Sequence, residues 1–309
     1  MKKVVPILRL AAQAFANLKA NDPIRMAAAT AFFSFFALPP IVIILSQLYG
    51  ELLTGEDERV SVQLFKKLAE LFGYQGARQL QDISKHLQEP RSNSLLTILS
   101  VVLLLTASTT LFAIIKGSLN QLWNVKPSND RRVWYVLLDK GIALGIIAFA
   151  GLLVTASLTI HQALAPFMNH SFLNAANLLW SLDAGNHALS ILLLTAWFAS
   201  VFKYLPDIRI SWQAVWVGAL VTAVLVEIGE QVLDRLLIKS PVSSLYGTSG
   251  AIILILLFVF YSALIFYYGA AFTRQYAQWI HLDVGPAANA VSYEINEVNK
   301  EPDSAAGSD

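Results

Sequence analysis

The chain has 309 residues, 56% hydrophobic and only 14% charged, with a formal net charge of +1 and a mean hydropathy of +0.55. Soluble domains carry roughly 25% charged residues, so this composition cannot coat a globule and reads as an all-α integral membrane protein. Near-neutral charge excludes the concentrated basic face of a nucleic-acid binder. The absence of cysteine excludes disulfides, thiolate metal sites and a cysteine nucleophile.

Residues 1–25 read as a cytoplasmic amphipathic segment. Val4, Leu8, Ala11, Phe15 and Leu18 share one helical face, and Arg9, Gln13 and Asn17 another. With Lys2, Lys3 and Lys19, this suits a basic helix on a membrane surface, and equally one packed on a bundle. The first span covers about 26–49 and contains no ionisable side chain. Crossing a bilayer takes ~20 apolar residues, so it is long enough. It is also too long for a signal-peptide core and no A-x-A site follows, so no cleavage is expected. Pro39-Pro40 removes two backbone donors from its middle, which predicts a kink or break there, facing other helices rather than lipid.

An outer loop over 51–94, with seven acids and six Lys or Arg, predicts two short amphipathic helices capping the bundle. Further spans follow at about 95–115, 137–160, 186–204, 212–234 and 250–272. His161–His187 holds no Lys or Arg, marking an outside loop. Placing the N-terminus inside puts 14 basic residues inside and 8 outside, which predicts an N-in, C-in topology. The membrane domain is thus 26–280, a six-helix polytopic bundle with extra interfacial helices. The tail 281–309, with six acids and one Lys, is expected to be disordered on the cytoplasmic side.

Several segments match a known pattern. AAATAFFSFFALPP in the first span, Leu119-Asn120-Gln121-Leu122-Trp123 after the second and Phe202-Lys203-Tyr204-Leu205-Pro206-Asp207 resemble motifs of the YihY/virulence factor BrkB family. Gly218-Ala219, Glu227 and Gly229 in the fifth span are similar to it as well. So are Leu245-Tyr246-Gly247 and the run to Gly269-Ala270 in the sixth. The resemblance runs from about Asp22 to Trp279 and implies a six-helix protein of the bacterial inner membrane. Phe202 stands where that family usually has an aromatic hydroxyl, Glu230 where it has a basic residue, and Ala271 where it has Glu.

Glu227, Glu230 and Asp234 at i, i+3 and i+7 share one helical face near the outer boundary. Ionisable groups at membrane depth usually face a bundle interior or wet cavity, so this face reads as a cation, proton or headgroup site. It reads equally as a helix emerging into water. Asn120 can cap freed carbonyls while Trp123 anchors the interface, and Lys116 is expected to snorkel. Tyr246-Gly247-Thr248-Ser249-Gly250 reads as a tight re-entry turn. The candidate set is therefore Pro39, Pro40, Asn120, Trp123, Pro206, Glu227, Glu230, Tyr246, Gly247 and Gly269.

The five histidines form no ligand-spaced pair, so no metal or other cofactor is expected. No nucleophile elbow or P-loop appears, which argues against an enzyme. A ribonuclease, an old label on the resembling family, finds neither metal ligands nor a basic groove here. Two readings fit. One is a transporter or flippase-like protein for a lipid or amphipathic solute, resting on the Pro-interrupted first span and Glu227. The alternative is a non-transporting envelope scaffold or assembly protein. The expected partners are membrane lipids and such a substrate, not nucleic acid, and a homo-oligomer is compatible with either.

Overall fold

A computed structural model describes residues 4–53, 77–78, 81–82, 94–128, 133–169, 175–233, 250–282 and 284–294. Seven helices appear among them: α1 (Val4–Lys19), α2 (Pro23–Leu53), α3 (Ser94–Leu122), α4 (Val133–Asn169), α5 (Ala175–Tyr204), α6 (Trp212–Leu233) and α7 (Gly250–Trp279). The last six run from 22 to 37 residues, each enough for the ~20 that span hydrocarbon. His187–Tyr204, Trp212–Leu233 and Ile252–Trp279 are also apolar enough to cross a membrane. Leu144, Leu152, Leu192, Leu220 and Ile228 lie exposed on the outside of the bundle. So much unpartnered aliphatic surface suits lipid, not water.

Helix α7 is the hub, packing against α1, α2, α3 and α6. Its Tyr267 is fully buried, with its hydroxyl 2.7 Å from Thr30 Oγ1 on α2. Thr30 spends its own proton on the Met26 carbonyl at 2.9 Å, so Tyr267 is the donor. Phe266 of α7 packs on Phe198 and Phe202 of α5, with centroids 6.0 and 5.4 Å away. Phe202, 1% exposed, thus fills an apolar stack in which a hydroxyl would need a partner. Ala271 is fully buried too, so a Glu at this position would place its carboxylate in the packed interior.

The tightest contact joins α6 to α7. Gly218-x-x-x-Thr222 on α6 meets Gly269-x-x-x-Thr273 on α7 in reciprocal fashion. A Cβ on Gly218 would lie 1.8 Å from Thr273 Oγ1, and one on Gly269 1.8 Å from Thr222 Oγ1. Each threonine hydroxyl donates to its own glycine's carbonyl at 2.7 Å. Small residues let backbones approach, and folding the hydroxyl back on its own helix satisfies it without water.

Three sequence expectations are corrected or narrowed. α2 stays helical from Pro23 through Pro39 and Pro40 to Leu53, so the predicted break does not occur. Two lost backbone bonds, at the carbonyls of Phe35 and Phe36, do not outweigh the many that a 31-residue helix keeps. On α1, Leu8 and Phe15 are exposed, and the buried line is Leu10, Ala14 and Leu18. Spacing by four with an alanine at its centre lets α1 lie close on α7, where the Tyr268 hydroxyl donates to the Ala11 carbonyl at 3.3 Å.

The third change is in the tail. α7 ends in a Schellman turn, with His281 at φ 55° and Leu282 N–H bonded to the Ala277 carbonyl at 3.0 Å. The chain then turns back as β3 (Gly285–Pro286) and β4 (Ala290–Ser292), which pair antiparallel with β2 (Ile208–Arg209) and β1 (Val125–Pro127). In register, Val125 faces Ser292 and Ile208 faces Pro286. Backbone pairing orders residues that composition alone marks as solvated. The outer-loop helices expected in 51–94 lie almost wholly outside the described residues.

Gly269→Val should collide with Thr222 and cost about 2 kcal/mol or more, lowering the melting temperature of the purified protein in detergent. Gly145→Ala on α4, where an added Cβ meets nothing within 4 Å, should leave it unchanged or raise it. Equal melting for both would remove the interlock from the account.

Candidate functional site

Two polar constellations occupy the bundle. The first sits at the strand-bearing end. Lys116 and Asn120, one turn apart on α3, face the turn between α5 and α6, where Pro206 and Asp207 are buried. Asn120 donates through Nδ2 to Asp207 Oδ2 at 2.9 Å, while its Oδ1 accepts from the Asp207 backbone N–H at 2.8 Å. Lys116 Nζ stands 2.9 Å from Asp207 Oδ1 and 2.6 Å from Asp139 Oδ1 on α4. The Asp207 carbonyl accepts the N–H of Ala287 from the returning tail at 2.9 Å. Asp207 therefore ties α3, α4, the α5–α6 turn and the C-terminal strands together. A buried carboxylate survives only with this density of donors.

Neighbouring groups extend the knot. Arg274 of α7 donates to the Leu122 carbonyl at 2.5 Å, capping the end of α3 with a cation. Gln121 donates to the Asn21 carbonyl at 3.4 Å. Lys116 thus bridges two carboxylates instead of snorkelling, because partners lie nearer than the interface. Trp123 is 6% exposed and belongs to the core, not to an interfacial belt. That place is taken by Tyr204, Trp212, Trp216 and Trp279, all exposed.

The second constellation lies about 22 Å along the helices from that end, by the ~1.5 Å rise of each residue. His187 Nδ1 of α5 stands 2.5 Å from Glu227 Oε1 of α6. The Glu227 side chain is 12% exposed and that of His187 55%. Glu227 Oε2 is buried and has no hydrogen-bond partner among the described residues. A buried carboxylate oxygen without a donor is costly. A proton held on the pair, or a ligand offering a donor or positive charge, relieves that cost. This is the chemistry the site can perform.

Glu230 is half-buried one turn further on, and Gly229 between them packs under the ring of Tyr261 on α7. Glu227 itself, 12% exposed and paired with His187, faces α5 and not open water. Gly269 belongs to the α6–α7 interlock and Pro206 to the first knot. For Pro39 and Pro40 only the backbone is described, while Asp234, Tyr246 and Gly247 lie outside the described residues. Asp139 and His187 are the residues that sequence reading passes over, while Asp207 enters it only within a motif and Lys116 only as a snorkelling side chain. A positional signal exists for them. His187 lies 20 residues before Asp207 and Glu227 20 residues after it, as partners in an antiparallel hairpin must. Lys116 and Asp139 likewise stand 11 residues either side of Pro127–Ser128.

The family model described as virulence factor BrkB matches residues 14–291. The chain belongs to the virulence factor BrkB family. Among its curated relatives are membrane proteins named UPF0761. One from Chromohalobacter salexigens is 23% identical over 285 residues, covering 88% of this chain and 65% of its own length. A second, from Teredinibacter turnerae, is 22% identical and covers 88% and 61%. A third, from Delftia acidovorans, is 25% identical over 187 residues, covering 58% and 40%. The chain thus spans less than two thirds of these relatives. No solved structure matches. As a BrkB-family membrane protein, the chain places both constellations in a bundle set in lipid.

Asn120→Ala should strip Asp207 of two bonds and cost about 2–4 kcal/mol, read as a clear fall in melting temperature in detergent. Lys126→Ala, at an exposed position, should leave it in place. An unchanged melt for Asn120→Ala would show that the knot does not hold the fold.

Proposed function

We propose that this BrkB-family chain is a transporter of flippase type for a lipid or amphipathic solute, working at the His187–Glu227 pair. It crosses the bacterial inner membrane six times, by α2 to α7, with both ends in the cytoplasm. The observation that carries the reading is Glu227 Oε2, buried beside His187 and without a partner among the described residues. A membrane protein gains no stability from such a group, and intramembrane ionisable residues mark substrate or proton paths by default. The excess of 14 basic residues over 8 on the strand-bearing side supports the orientation.

The alternative is a non-transporting envelope scaffold. It is favoured by the Gly–Thr interlock, in which Cβ-less positions 218 and 269 fix α6 on α7 with no room to slide.

Transport is tested with purified protein in liposomes carrying a fluorescent phospholipid. The expected result is faster flip than in empty liposomes, lost in Glu227→Gln, whose melting temperature stays within a few degrees of the parent. Removing an unsatisfied charge should not unfold the protein. Flip equal to empty liposomes for the parent would reject transport of that lipid and favour the scaffold. Retained flip in Glu227→Gln would remove Glu227 from the mechanism.

A further inference from the structure

Helix α1 has two apolar sides, and only one is used by the bundle. Leu10, Ala14 and Leu18 are buried against it, while Leu8 is 66% and Phe15 60% exposed. At 100° per residue, Leu8, Ala12, Phe15, Ala16, Arg9 and Lys19 fall on the outer half of the helix, and all are exposed. Between residues 1 and 21 the chain holds four Lys or Arg and no acid. The first carboxylate, Asp22, already has Arg25 at 3.5 Å.

Contacts at both ends fix the height of α1. Asn21 is held by Gln121, beside Leu122, whose carbonyl binds Arg274. Ala11 is held by Tyr268, six residues earlier on α7, which is about 9 Å along its axis. One leaflet's hydrocarbon is ~15 Å deep, half of the ~30 Å core. Helix α1 therefore climbs obliquely from the strand-bearing end into a single leaflet, with its outer half turned from the protein.

We propose that the outer face of α1 is a docking surface for anionic phospholipids of that leaflet. Phe15 and Leu8 enter the acyl chains, while Lys19 meets the phosphates at the strand-bearing end and Arg9, deeper on the helix, reaches up to them along its aliphatic stem. A basic helix with large apolar groups and no acids has the charge and shape for this partner. The surface is separate from His187–Glu227 and needs no transport to exist.

The chain has no cysteine, so a single one can be labelled cleanly. Phe15→Cys carrying an environment-sensitive fluorophore is placed, as the full chain, in nanodiscs of phosphatidylcholine and phosphatidylglycerol. One lipid at a time carries bromine on its acyl chains as a contact quencher. The expected result is quenching by both, stronger by about threefold for brominated phosphatidylglycerol at equal mole fraction, as two cations near the surface favour anionic lipid. In Arg9→Gln/Lys19→Gln that preference falls to parity. Leu8→Cys should behave alike, guarding against a local effect of one label. Water-like emission with no quenching by either lipid overturns the docking surface. Equal quenching by both lipids in the parent overturns its anionic preference.

Discussion

A carboxylate buried in a lipid-facing bundle must collect donors, and Asp207 takes them from α3 while its backbone engages α3 and the returning tail. Asn120 grips it through side chain and backbone, Lys116 reaches it while also bridging Asp139, and the tail binds its carbonyl. Helix α3 supplies both side-chain donors, α4 the second carboxylate on Lys116, and the tail the donor to the Asp207 carbonyl. Breaking a buried pair leaves an uncompensated charge, so the knot is cooperative by electrostatics. It holds the loops at one end of the bundle at fixed height, and the positions of α3, α4, α5 and α6 follow from it.

The rest of the bundle obeys a different rule. Without a hydrophobic drive between helices in lipid, packing must come from close approach. α6 and α7 achieve it with two Gly–Thr exchanges, and α1 reaches α7 through Ala14. Against this closely packed background the His187–Glu227 pair stands out. It is placed by the same hairpin that Asp207 anchors, yet one of its oxygens has no partner among the described residues. The same chain thus satisfies one buried carboxylate fully and another only in part. That contrast is the physical basis for assigning the first to structure and the second to function.

Long apolar helices, membrane character and family were legible from charge-free runs and motif order, because hydrocarbon thickness imposes a length that composition reveals. Asn120 and Glu227 were legible as polar residues in apolar surroundings. Their partners were not, because hydrogen-bond partners on different helices leave no local pattern. Residue counts from the turns at Pro127 and Asp207 would have paired Lys116 with Asp139 and His187 with Glu227. Which side of α1 packs on protein stays open in the sequence because both of its sides are apolar, and periodicity cannot say which meets the bundle. The strands of the tail were hidden for another reason. Gly285, Pro286 and their neighbours have little strand propensity, and backbone pairing with loops far away in sequence orders them.

Backbone hydrogen exchange of the full chain in lipid nanodiscs tests the central claim, that the Asp207 knot and its strands lock this end of the bundle. Segments 123–127, 205–211 and 285–292 are non-helical and lie where water reaches the protein. Unclasped, they would exchange as free peptide does. The account predicts that all three exchange together and slowly, at rates approaching those of the α6–α7 core. Exchange at free-peptide rates in these segments, with the helices protected, would contradict it.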